Sequence, residues 1–106
     1  MTTHTRDSAT QNESEQVVQD AVSLNDVAKE LQRARQSFHG TFASAHEGYA
    51  VILEELDELK ADCFMKRELR SKHRLRSEAI QVAAMALRFA SDLTPLSDDE
   101  LVRHES

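Results

Sequence analysis

Five acidic side chains crowd one short stretch of the chain: Glu54, Glu55, Asp57, Glu58 and Asp62. Glu55 and Glu58 stand three residues apart, which makes them surface neighbours if the stretch is helical. Like charges at that spacing repel, so helix stability gives no reason to choose them. A hard divalent cation removes the repulsion and takes oxygen ligands. A second oxygen pair at the same spacing, Glu78 and Gln81, lies among Ala79, Ile80, Val82 and Met85. An unpartnered carboxylate is costly in such apolar surroundings. Two antiparallel helices, each offering one pair, would enclose a site for Mg²⁺, or for Mn²⁺ in its place. The plainer alternative is a solvated acidic face. On a helical wheel Glu54 and Glu58 lie roughly 150–180° from the apolar stripe. Glu78 fits that alternative less well.

The elements that must hold these residues can be read from periodicity and caps. Residues 1–13 are rich in Thr, Ser, Asn and Gln, lack apolar periodicity, and read as a disordered leader. From Ser14 a helical pattern runs to about Gln36, with a candidate break at Ser23–Asp26. Ser44 followed by Glu47 is a capping box that opens a second helix. Its apolar stripe is Ala45, Tyr49, Ile52, Leu53, Leu56, Leu59 and Cys63, reaching about Lys66. A densely charged linker leads to a third helix over about Arg74–Asp92. That helix is apolar on most faces, so it should be buried on most faces. Thr94-Pro95 stops it, and Ser97 with Glu100 suggests a short C-terminal helix. The expected layout is a leader over 1–13, a helical domain over 14–93, and a tail over 94–106.

Composition sets the outer limits. The chain has 106 residues with 2 Gly and 1 Pro, too few turn formers for a sandwich or barrel of short strands. One cysteine excludes an internal disulfide framework, and Cys63 reads as a core thiol. No apolar run reaches the length of about 18 residues that spans a membrane, and the polar N-terminus resembles no secretory or transit signal. A cytoplasmic protein without a membrane partner is the default expectation. The 19 acidic against 13 basic residues give a net charge of −6, which opposes duplex nucleic acid as a partner. A nucleotide stays admissible, because Mg²⁺ bridges carboxylates to phosphate oxygens. With 5% aromatics and no Trp the core of a lone chain is thin, so a homo-oligomer is expected. Gly48 is assigned to close helix packing, and Met85 to the core or an interface.

Glu54-Glu55-Leu56-Asp57-Glu58 has the form EExxE, and Glu78-Ala79-Ile80-Gln81 falls where ExxD would follow. Over about Ser37–Leu93 the chain resembles the all-α nucleoside triphosphate pyrophosphohydrolases, the MazG-like and dimeric dUTPase-like superfamily. The likeness is to its small phage and bacterial members. It implies an all-α antiparallel helical bundle completed by oligomerisation, as a dimer or tetramer. It also implies Mg²⁺-dependent release of pyrophosphate from an NTP or dNTP. Carried over, Glu55, Glu58 and Glu78 are metal ligands, with Gln81 at the fourth position and Glu54 orienting water. Lys66, Arg67, Arg70, Arg74 and Arg88 would meet phosphates, and Phe42, His46 and Tyr49 would line the base pocket. The departure is Gln81, where the family has Asp: an amide oxygen ligates but brings no charge. Two further readings therefore stand beside the enzyme. One is a nucleotide-binding or sequestering protein without turnover, and the other is a plain helical interaction module.

Overall fold

No Gly or Pro occurs before Gly40, and the chain forms one unbroken helix over Thr2–Ser37. The computed structural model describes the backbone of residues 2–105 and the side chains of residues 12–104. Its helices are α1 (Thr2–Ser37), α2 (Ala45–Cys63), α3 (Lys72–Leu93) and α4 (Asp98–Glu105), with a 3₁₀ turn at Arg67–Leu69. Among the described residues there is no strand. The expected all-α chain of three main helices and a short fourth is what forms. No helix among the described residues is long and apolar enough to cross a membrane.

Several boundaries differ from the periodicity reading. α1 starts at Thr2 and not near Ser14, and it carries no break at Ser23–Asp26. The polar leader contains nothing that stops a helix, so the helix continues through it without needing an apolar face. α3 starts at Lys72, two residues early, because the Ser71 hydroxyl accepts from the Arg74 N–H at 3.2 Å. The other two caps form as read. Ser44 Oγ accepts from the Glu47 N–H at 3.1 Å, and the Glu47 carboxylate accepts from the Ala43 N–H at 3.4 Å. Ser97 and Glu100 repeat this exchange at α4, at 3.3 and 3.2 Å.

α3 is the central helix, with α2 packed on one side and α1 on the other. The buried core is Ala34, Phe42, Ala84 and Met85, flanked by Val27, Leu31, Val51, Ile52, Phe89 and Leu93. Gly48 lets α2 close onto α3: a Cβ there would stand 2.6 Å from Phe89 Cδ2 and 3.1 Å from Leu93 Cδ1. At the other flank, Arg76 of α3 reaches Asp26 and Ser23 of α1 at 2.8 and 3.2 Å.

The orientation of α2 matters most for the site. Its expected apolar stripe is largely open, with Tyr49 63% and Leu56 46% exposed. Cys63 is exposed as well, not a core thiol. The residues with least exposure are instead Gly48, Ile52, Glu55, Leu59 and Asp62, with Val51 beside them. They follow the alternating four- and three-residue steps of a helix–helix seam. The seam shares Ile52 and Leu59 with the expected stripe, and its centre is rotated from that of the stripe by about 70°. Two acids thereby enter the helix interface.

Candidate metal centre

The seam brings together the three carboxylates that spacing alone selects. Glu55 and Glu58 of α2 and Glu78 of α3 each offer an oxygen, and these atoms all lie within 4.8 Å of one another. Glu55 and Glu78 are half-buried, and Glu58 is exposed. Glu55 Oε2 and Glu78 Oε2 are shielded from solvent and have no hydrogen-bond partner. Burial raises the proton affinity of Glu55, and the charges of Glu58 and Glu78 raise it further. Burial likewise raises Glu78, with Glu58 and Asp62 adding to it and Arg74 opposing it. Three carboxylates this close cannot all stay ionised without a counter-charge. The donor set is all-oxygen, anionic and short of partners, which fits a hard divalent cation.

Two residues flank this centre. Asp62 is 5% exposed; its Oδ1 lies 3.2 Å from Arg74 Nη2, and its Oδ2 is unpartnered. Gln81 is half-buried and lines an adjoining cavity of about 230 Å³ between α1, α2 and α3, together with Glu54 and Glu55. From α1 that cavity takes Glu30 and Arg33, and from the connection just after it Phe38. Arg33 grips Glu30 through Nε and Nη2, and the Glu30 carboxyl is held below the usual carboxylate range by that contact. Phe38 is 64% exposed. Spacing within one helix points to none of these three, since they reach the acids only when α1 docks on α3.

The phosphate candidates separate. Arg74 reaches the acidic cluster through Asp62. Lys66, Arg67 and Arg70 are exposed around the 3₁₀ turn, where Arg70 Nε donates to the Met65 carbonyl at 3.2 Å. Arg88 is engaged within the fold. It is 7% exposed, donates to Asp92 Oδ2 at 3.3 Å and to the Gly40 carbonyl at 3.4 Å, and lies 4.0 Å over the Phe42 ring. Its guanidinium holds the α1–α2 loop against α3, and the residue also lines the cavity beside Glu55 and Gln81.

The three residues expected at a base pocket line no part of the cavity beside Glu55. Phe42 is 4% exposed and belongs to the core beneath Arg88. His46 and Tyr49 line a separate apolar depression with Ala45, Ile52, Ala86 and Phe89. That depression shares no lining residue with the cavity beside Glu55. The rotation of α2 accounts for this: Tyr49 stays on the side of the helix turned from the acids.

Compared with known proteins, the chain matches no family, no curated protein and no solved structure.

Proposed function

We propose that the chain is a Mg²⁺-dependent nucleotide-binding protein of MazG-like type, hydrolysing an NTP or dNTP to the monophosphate and pyrophosphate. The observation that carries this is the convergence of Glu55, Glu58 and Glu78 from two antiparallel helices, with two shielded and unpartnered oxygens among them. These residues would hold the cation, which when bound neutralises the triphosphate and polarises the α-phosphoryl group. Glu54, on the cavity wall beside Glu55, orients water for attack at the α-phosphorus. Arg33 and Arg74 flank the acids from either side and pair with phosphate oxygens. The cavity is smaller than the range of about 300–1,000 Å³ that takes a drug-sized ligand, so it suits one part of a nucleotide. Phe38 offers that part an aromatic face, in place of Phe42, His46 and Tyr49.

One observation favours a second reading, a binder that sequesters its nucleotide without turnover. Gln81 presents an amide to the cavity where a charged ligand would hold a further cation. The exposed stripe of Tyr49, Leu53 and Leu56 supports a homo-oligomer in either case, since contiguous apolar surface of this kind marks interfaces.

A thermal-shift screen separates these readings from a plain helical module. Mg²⁺ combined with one group among NTPs, dNTPs and cyclic nucleotides should raise the melting temperature beyond either component alone. Glu58→Gln should abolish that synergy. No ligand-dependent shift in the parent protein would sink both nucleotide readings.

A further inference from the structure

Glu30 and Arg33 line two hollows at once, the cavity beside Glu55 and a separate groove of about 360 Å³ between α1 and α3. Two matching stripes build this groove. α1 supplies Asp26, Lys29, Glu30 and Arg33, and α3 supplies His73, Arg76 and Ser77. Three- and four-residue steps put each set on one helix face. The two helices run in the same direction, since Asp26 meets Arg76 and Arg35 meets Asp92. The groove therefore leads from Arg33, at the acidic cavity, back along α1 and α3 to His73. Its charge is opposite to that of the chain. Three of the 13 Lys and Arg residues gather here against two acids, in a protein of net charge −6. Both acids are already engaged: Asp26 accepts from Arg76 Nη2 at 2.8 Å, and Glu30 accepts from Arg33. Lys29 and His73 have no hydrogen-bond or ion-pair partner among the described residues. Arg33 meets Glu30 through Nε and Nη2, which leaves Nη1 outside that pair. The contact with Glu30 holds the Arg33 guanidinium charged, and the Glu55 carboxylate across the cavity adds to it. An ammonium, an imidazole, a spare guanidinium N–H and the Ser77 hydroxyl are donors suited to phosphate oxygens. Lys29 and Arg33 are spread over about 6 Å of helix, which fits two linked phosphoryl groups better than one.

We propose that the α1–α3 groove is a binding site for a diphosphoryl oxyanion, held by Lys29, Arg33, His73 and Ser77 without a divalent cation. Resting on the nucleotide reading above, this is where the distal phosphates of the triphosphate lie. The nucleotide then passes Arg33, with its organic part towards Phe38 and its pyrophosphoryl end along Lys29 and His73. The glutamate centre and the groove share the charge of the triphosphate, and the groove holds the part that leaves.

The test titrates inorganic pyrophosphate into the full chain by calorimetry, with EDTA present to remove divalent cations. The parent should bind, and more weakly as salt is raised. Lys29→Gln and His73→Gln should each weaken binding at least about fivefold, the loss of one charge-assisted hydrogen bond near the surface. Neither residue has a partner to lose, so both variants should melt with the parent. Lys60→Gln removes the same charge from α2, outside the groove, and should leave affinity within about twofold. No binding by the parent, affinity within about fivefold in both groove variants, or an equal loss in Lys60→Gln would overturn the site. Pyrophosphate binding without any Mg²⁺-dependent nucleotide shift keeps the groove and sinks the nucleotide reading. That shift without pyrophosphate binding sinks the groove alone.

Discussion

Replacing Glu78 with Gln should make the cation-free protein more stable and the cation-loaded protein less stable than the parent. In the bare chain Glu78 is a half-buried carboxylate facing Glu58, with one oxygen shielded and unpartnered. An isosteric amide removes the repulsion and the cost of desolvating a charge, worth about 1 kcal/mol at the low end of such penalties. For a chain of this size that is a rise of about 4–8 °C in melting temperature. The parent should gain about 2.7 kcal/mol when Mg²⁺ or Mn²⁺ is present at about a hundred times its dissociation constant. The variant should gain little, so the two stability curves cross as cation is added.

Protonation should do part of the cation's work. The folded-state proton affinities of Glu55 and Glu78 are raised above their ordinary values. The folded protein therefore holds more protons than the unfolded chain between the ordinary and the raised values. Their destabilising effect is fully present above the raised values and is relieved as the pH falls through them. Cation-free stability should rise on mild acidification in the parent, with a smaller rise in Glu78→Gln. Parallel stability–pH curves for the two proteins would contradict this assignment.

The second large effect concerns Asp92, far from the acids in function but central to the fold. Its side chain is 3% exposed and accepts from Arg35 Nη2 at 2.9 Å, from Arg88 Nε at 3.3 Å and from the Phe42 N–H at 3.1 Å. Burial pushes its carboxyl upward, but the Arg35 and Phe42 hydrogen bonds and the two guanidinium charges outweigh it and hold it below the usual range. Asp92→Ala strands the buried Arg88 guanidinium and the Phe42 N–H together. Removing one partner of such a buried pair costs about 3–5 kcal/mol, a large share of a total stability of about 5–15 kcal/mol. Asp92→Asn should cost less, because it keeps an acceptor for Phe42. Urea denaturation of the three proteins measures the difference, and near-equal midpoints for parent and Asp92→Ala would refute the clamp. This contribution has the opposite pH sign from the glutamates: it is present above the ordinary carboxylate value and is lost as the pH falls through the depressed one.

These two networks show which parts of the molecule local sequence reveals. The helices of the site are legible because their signals are short-range. Ser44 and Glu47, and Ser97 and Glu100, satisfy each other within one turn. Glu55, Glu58 and Glu78 stand out because repulsion at three-residue spacing, and a carboxylate amid alanines, are visible without any tertiary knowledge. Ser71 escapes notice as a cap because Arg74 occupies the position where a capping box carries Glu. The rotation of α2 is not legible. Its outward stripe of Tyr49, Leu53 and Leu56 is more apolar than the seam that packs, and the seam accepts Glu55 and Asp62 only because α3 supplies Arg74 and the cluster beside them. Arg88 pairs with the Gly40 carbonyl and Phe42 across nearly fifty residues of sequence. An arginine read along its own helix looks like a free cation. The contribution of α1 and the residue that follows it, through Glu30, Arg33 and Phe38, exists only after α1 has docked.

The central claim is that the Glu55–Glu58–Glu78 centre serves nucleoside triphosphate cleavage. Phosphorus-31 NMR of each NTP and dNTP with the protein and Mg²⁺ tests it most directly. The account predicts pyrophosphate and nucleoside monophosphate from one group of substrates, dependent on Mg²⁺ and absent with Glu58→Gln. Unchanged triphosphate in every reaction, or product formation that persists in Glu58→Gln, would contradict it.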